Sequence, residues 1–321
     1  MNIKKEKSTF EIWSHELTKI YGKGKEALEA VSEIDLRVKP GIHGFLGPNG
    51  AGKTTTLNML VGAISITKGT AKIRDNKAGT VKAKQIIGFL PQDPVFYKDM
   101  TGEEYLVYMG QLGGLQKREA RIKAQELLDF FDLFKFRTKE IGTYSGGMKQ
   151  KIGIAGALIH NPKVLILDEP TANLDPLGRA DVVKMIKSLS KSENLSVFVS
   201  SHILSEIEQM CEDVTMIDRG KIVISDTIRN IKKSFINNLF IFDTNMNDKF
   251  VEQLKDKEFI ASIRINVTDG KIHIIPKDSE KLREIIPQIL VKNKAILYSF
   301  TQPELSLQDI FMEIMSKKVE N

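Results

Sequence analysis

The run Gly47-Pro48-Asn49-Gly50-Ala51-Gly52-Lys53-Thr54 fits the pattern GxxxxGK(S/T), with Thr55 directly behind it. Residues of these types in this order hold a polyphosphate. Glycines allow successive backbone amides to close around an anion, and a helix starting at Lys53 adds the partial positive charge of its N-terminus. The Lys53 ammonium is long enough to reach the β and γ phosphates, and the Thr54 hydroxyl is a ligand type for Mg2+. A second reactive group follows Val164-Leu165-Ile166-Leu167, an apolar run that ends in Asp168 and Glu169. A buried strand delivering two carboxylates to its C-terminal edge puts them where α/β sheets bind ligands. Asp168 is then placed to hold Mg2+ through water, and Glu169 to polarise the water that attacks the γ-phosphate in line. Taken alone, the first run is also compatible with a glycine-rich turn that binds nothing, and the second with a solvated acidic turn closed by Pro170. Together they point to hydrolysis of a nucleoside triphosphate.

The elements that must position these groups are legible around them. Strand character in Phe10, Ile12 and Leu17 to Ile20 leads to Tyr21, and after a Gly-Lys-Gly turn Leu36, Val38, Ile42 and Phe45 continue it up to the glycine-rich loop. Lys53 to Ile64 predicts a helix, and Ala71 to Ile73 and Ile86 to Leu90 predict two short strands. From Gly102 to about Phe136 the apolar spacing is helical, through Leu106, Met109, Leu127, Leu128 and Phe131. Helix, buried strand, helix and buried strand then follow over Ser145–Ile159, Val164–Leu167, Leu177–Ser190 and Ser196–Val199. That alternation implies a parallel sheet covered by helices. Val214 to Ile217 and Lys221 to Ile224 flank a hairpin turn at Asp218-Arg219-Gly220, and a first domain closes near Ser234. The tail has a βαββαβ rhythm over Leu239–Asp243, Asp248–Leu254, Ile260–Ile265, Ile272–Ile275, Ser279–Leu290 and Ala295–Phe300, followed by an amphipathic segment, Leu305–Met315.

A chain of 321 residues, 41% hydrophobic and 27% charged, has the composition of a globular protein with room for two domains. The lone Cys211 forms no intramolecular bridge, which fits a reducing cytoplasm. The N-terminal stretch MNIKKEKSTFEIW lacks the apolar core of a signal peptide, and runs such as Ile152–Ile159 are far shorter than the ~18–20 residues of a spanning helix. Any membrane role is therefore expected to be peripheral, at the cytoplasmic face. The net charge of +6 is spread along the chain and not gathered in blocks, so no nucleic-acid partner is expected.

Tyr144-Ser145-Gly146-Gly147-Met148, lying ahead of the strand that ends in Asp168-Glu169-Pro170, resembles the signature of the ABC ATPases. The usual form is LSGGQ; Tyr144 and Met148 depart from it, and the variant resembles that of drug-exporter subunits. Ser145, Gly146 and Gly147, the phosphate-facing part, are unaltered, and at a helix start they offer a hydroxyl, unshielded amides and a dipole. A plain helix cap is the alternative reading of Ser145. The resemblance implies further roles. Gln92 is similar to the Q-loop glutamine that touches Mg2+ and the attacking water, Tyr21 to the aromatic that stacks on adenine, Asp175 to the D-loop aspartate, and His202 to the histidine that contacts the γ-phosphate. Without the family, Gln92 reads as a surface turn, Tyr21 as packing, Asp175 as a helix cap and His202 as incidental.

The resemblance covers residues 9 to 230, and more loosely a tail whose Leu305-Ser306-Leu307-Gln308-Asp309-Ile310-Phe311 is similar to the close of antibiotic-export subunits. It implies an α/β P-loop NTPase core of ABC type (1–234) with an antiparallel β portion and a helical insertion at about 100–160, then a small ferredoxin-like α+β domain (235–321). It implies ATP and Mg2+ as cofactors, membrane-spanning permease subunits as partners, and a second ATPase subunit, identical or similar, in a head-to-tail dimer, since each chain holds one phosphate loop and one signature. A soluble ABC ATPase acting on the ribosome or nucleic acid is the rival; such relatives carry two cassettes, coiled coils or zinc insertions.

Overall fold

The computed structural model describes residues 10–192, 195–234, 239–267, 269–303 and 306–311. Within it the first strands are β1 (Ile12–Tyr21), β2 (Leu28–Ile34), β3 (Arg37–Val38) and β4 (Ile42–Leu46). The apolar alternation of β1 breaks at Ser14-His15-Glu16, yet the strand runs on. Ser14 Oγ donates to Ile34 O, and the Glu16 amide, at a bulge where φ is 49°, donates to Asp35 Oδ1. The bulge turns Leu17 back into the core. Next come α1 (Lys53–Val61), β5 (Lys68–Ile73), β6 (Asn76–Lys77), α2 (Val81–Lys84) and β7 (Ile87–Leu90). Helix α1 stops short of Ile64 because Gly62, at φ 73°, caps it in the left-handed conformation.

The helical segment consists of α3 (Gly102–Leu112), α4 (Lys117–Phe130) and α5 (Gly146–Leu158). Helix α3 starts on a reciprocal capping box between Thr101 and Glu104. Strand β8 (Val164–Asp168), α6 (Pro176–Ser192), β9 (Ser196–Ser201), α7 (Leu204–Met210), β10 (Asp213–Asp218), β11 (Lys221–Thr227) and α8 (Ile228–Ser234) follow. Residues of β8 and β9 are buried throughout, as strands covered on both faces must be.

Two sheets result. An antiparallel one joins β2, β1, β5 and β6, with β3 on β1; a six-stranded one has the order β11-β10-β4-β9-β8-β7, parallel except for the β10–β11 hairpin. Ile12, Leu17, Val31, Phe45, Leu57, Ile166 and Phe198 belong to one continuous apolar core that spans both.

Internal contacts divide the chain into Met1–Ile228 and Arg229–Asn321, while the sequence reading puts the division after Ser234. In the second unit β12 (Phe240–Thr244), α9 (Asn247–Leu254), β13 (Ile260–Ile265), β14 (Ile272–Pro276), α10 (Ser279–Asn293) and β15 (Leu297–Thr301) form an antiparallel sheet of order β13-β14-β12-β15. This is the strand order of the split βαβ arrangement, with Phe240, Phe242, Phe250, Leu254, Leu282 and Ile286 in its core. Residues 307–311 are helical, whereas Leu305 and 312–315 of the expected closing segment lie outside the described residues.

Candidate functional site

Register builds the site. Strands β4 and β9 pair in parallel with Leu46 opposite Ser201, and β9 and β8 pair with Asp168 opposite Ser200. Three C-terminal edges therefore lie side by side, and the glycine-rich loop, His202 and Glu169 leave the sheet at one place.

The loop depends on its glycines. Gly50 and Gly52 have φ of 80° and 103°, and a side chain at Gly47 or Gly52 would run into the carbonyl of Ile217 or of Ala30. Gly52 caps α1 without a side chain, and the amides of Gly50, Gly52, Lys53, Thr54 and Thr55 find no acceptor among the described residues. Unpaired donors at a helix start form an anion cradle. Lys53 is 6% exposed; its Nζ donates to Gly47 O at 2.8 Å and Pro48 O at 3.2 Å, and stands 3.1 Å from Glu169 Oε1.

Glu169 is 5% exposed and held at both ends. Its backbone sits at φ 49°, a conformation that costs a non-glycine residue about 1–2 kcal/mol, and its amide donates to Ser200 Oγ at 2.9 Å. The other carboxylate oxygen, Oε2, lies 2.6 Å from His202 Nδ1. Ser200 Oγ in turn donates to Asp168 Oδ1 at 2.6 Å. Burial pushes the Asp168 carboxyl above its ordinary range, opposed by hydrogen bonds from Ser200 and Thr54. A buried carboxylate beside a threonine hydroxyl is the hard-oxygen donor set of Mg2+, whose charge would offset that desolvation.

Ser200, Thr171 and Glu206 tie the segments around the site together, and motif reading did not single them out. Thr171 Oγ1 donates to Glu206 Oε2 at 2.5 Å, tying the segment after Glu169 to the helix after His202. Both side chains are buried, and Glu206 Oε1 has no partner among the described residues. The available signal was polar Ser200-Ser201 closing an otherwise apolar buried run.

The remaining expected residues lie mostly at the surface of this unit, and Gln92 follows β7, whose Leu90 pairs with Leu167 at the same sheet edge. Ser145 is the exposed N-cap of α5, accepting from the Met148 amide at 3.3 Å. A side chain at Gly147 would meet nothing within 4 Å, and one at Gly146 only Leu174 at 3.8 Å, so packing within the chain does not call for glycine at either position. Tyr144 is buried, its hydroxyl donating to Phe136 O at 2.8 Å, which accounts physically for an aromatic at this place. Asp175 is exposed and accepts from the Gly178 amide at 2.7 Å, the capping role. Tyr21 is 40% exposed with Lys19 Nζ 5.1 Å from its ring centroid, and Gln92 is exposed in the bend after β7. The single chain thus brings together Lys53, Thr54, Asp168, Glu169 and His202, and leaves Ser145 and Gly146 exposed and Gly147 half-buried.

Known proteins resemble the chain over most of its length. The model of the family described as "ABC transporter" matches residues 31–172. The bacitracin transport ATP-binding protein BcrA of Bacillus licheniformis is 36% identical, over 94% of this chain and 95% of its own length. The linearmycin resistance ATP-binding protein LnrL of Bacillus subtilis is 30% identical, over 95% and 98%. Among solved structures, a dimeric ATP-binding cassette in a post-hydrolysis state bound to ADP and Pi superimposes with a TM-score of 0.62 at 25% identity, covering 68% of this chain and 99% of that one. Among the described residues no helix is long and apolar enough to cross a membrane.

Proposed function

The chain belongs to the family of ABC transporter ATP-binding proteins, and from that premise we propose that it hydrolyses ATP at sites shared by two chains and so drives separate membrane-spanning subunits in export. The observation that carries the chemistry is the line from buried Lys53 and Glu169 to exposed His202, with both carboxylate oxygens of the general base engaged. Phosphate binding draws the Lys53 ammonium away from Oε1 and frees that oxygen to accept from water, while His202 keeps Oε2 in place. Thr54, Gln92 and Asp168 would hold Mg2+, which would supply charge neutralisation on the phosphates. Ser200 holds the Asp168 carboxylate and the Glu169 backbone in one register through its two hydrogen bonds.

The second chain enters because packing within the chain does not require glycine at Gly146 or Gly147, beside the exposed cap residue Ser145. Facing a phosphate bound to the loop of a partner, they contribute a hydroxyl, amides and the N-terminus of α5. Asp175 lies in that interface, and Tyr21 stacks on adenine. The export direction is supported by the names of BcrA and LnrL, a bacitracin transport and a linearmycin resistance protein. The reading places the chain on the cytoplasmic face of a membrane. Phosphate release by the purified chain, measured per chain against concentration, tests it: the rate per chain should rise as pairs form, and a rate independent of concentration down to dilutions where only single chains remain would contradict a shared site. Copurification with a polytopic membrane protein tests the transport role.

A further inference from the structure

Lys19, two residues before Tyr21 on β1, is a lysine that folding has taken out of water: it is 9% exposed. A buried ammonium needs partners, and this one has two on the described residues. Its Nζ donates to Ser65 O at 2.8 Å, and it stands over the Tyr21 ring, 5.1 Å from the centroid. That separation is within the roughly 6 Å reach of a cation over an aromatic face. Ser65 lies just beyond α1, the helix whose start at Lys53 carries the phosphate cradle. A second tie runs beside the first, from the Ile20 amide to Thr67 Oγ1 at 3.1 Å. The end of β1 is thereby fastened to the segment that leaves the phosphate helix. Strand β2 supplies the other half of the geometry. Tyr21 pairs with Leu28 on it, and two residues further on a side chain at Gly52 would come within 2.6 Å of Ala30 O. Two residues of strand span about 7 Å, so Tyr21 stands from the glycine-rich loop at the remove that a ribose puts between a base and its phosphates.

We infer that Lys19 is the positioning residue of the base platform: anchored on Ser65 O, its ammonium covers one face of the Tyr21 ring and holds the other face open to the purine base. Tyr21 is 40% exposed and keeps few contacts of its own, so without the cation its ring is free to turn and must be ordered when the nucleotide binds. Lys19 itself touches neither base nor phosphate. It acts through the ring, and its hold on Ser65 sets the ring at a fixed offset from the helix that receives the phosphates. Stacking accepts any flat base, so Lys19 contributes to the affinity for nucleosides and not to the choice among them. The inference rests on the reading of Tyr21 as the residue that stacks on adenine.

The test titrates two probes into the full chain by calorimetry: ADP, which is not hydrolysed, and inorganic pyrophosphate, which has no base. The variants are Lys19→Met, which keeps the stem and loses the charge, Lys19→Arg, Tyr21→Leu, and Lys19→Met combined with Tyr21→Leu. Lys19→Met should weaken ADP binding by about three- to tenfold while pyrophosphate stays within about twofold of the wild type. Lys19→Arg, which keeps a cation over the ring, should recover ADP affinity. On the Tyr21→Leu background Lys19→Met should have no further effect, because the two residues act as one. If Tyr21→Leu weakens ADP binding and Lys19→Met does not, the inference is overturned and the stacking reading stands. Equal loss of pyrophosphate and ADP in Lys19→Met, or Lys19→Arg no better than Lys19→Met, would also overturn it. Unchanged ADP affinity in Tyr21→Leu would overturn the stacking reading and the inference with it.

Discussion

Replacing Glu169 by Gln removes a charge while keeping the shape, and the structure sets what should follow. Without nucleotide, the amide can turn its oxygen to Lys53 Nζ and its nitrogen to His202 Nδ1, so the 3.1 Å and 2.6 Å contacts persist in weakened form. Exchanging charged hydrogen bonds for neutral ones in a site about 5% exposed should lower stability by roughly 1–3 kcal/mol. In a unit of this size that is a fall in Tm of about 2–12 °C. ATP affinity should be kept or improved, because no carboxylate competes with phosphate for Lys53. Hydrolysis should fall by about 10²–10⁴, the contribution of a positioned general base. Steady-state phosphate release, equilibrium ATP binding and thermal unfolding with and without ATP separate these effects, and the nucleotide-induced rise in Tm should be larger than in the wild type. Turnover within tenfold of the wild type would refute the assignment of Glu169 as base.

Lys53→Ala should instead weaken ATP binding itself by roughly 1.5–3 kcal/mol, the worth of a charged hydrogen bond, as read by titration of labelled ATP at moderate salt. His43 is buried on β4, where desolvation first and the Lys39 charge second hold its pKa at about 4 against 6.5 in the unfolded chain. Its folded value is depressed, so the unfolded chain binds the extra proton first; stability should fall by up to about 3 kcal/mol between pH 6.5 and 4. His43→Gln should flatten that slope in urea titrations. Thr171→Val, which leaves the buried Glu206 carboxyl without its donor, should destabilise by about 1–3 kcal/mol and lower kcat more than it changes ATP affinity. Truncation after Ser234 should leave ATP binding intact, measurable by the same titration.

What was legible in the sequence was what short-range chemistry dictates. The loop from Gly47 to Thr54, the buried strand ending in Asp168-Glu169 and the helix start at Ser145 stand where their residue types required. The antiparallel course of β1 was legible only in part, because a bulge at Glu16 resets the alternation and its hydrogen bonds come from distant Asp35 and Ile34. Helix α7 was missed because Leu204 to Met210 is too short to show a period. The ties between Ser200 and Asp168 and between Thr171 and Glu206 join residues more than thirty positions apart, and only the parallel register of β8 on β9 brings them within reach.

The central claim is that ATP is held between the phosphate loop of one chain and the Ser145-Gly146-Gly147 helix start of another, and a mixed pair tests it most directly. Lys53→Ala disables the loop, Ser145→Arg fills the exposed start of α5, and each homodimer should be nearly inactive. Joining one chain of each kind creates one site with both defects and one with neither if sites are shared, but leaves a defect in every site if each chain builds its own. Trapping of labelled nucleotide in the purified mixed pair should then clearly exceed that of both parents; trapping no greater than theirs, in a pair shown to assemble, would contradict the shared site.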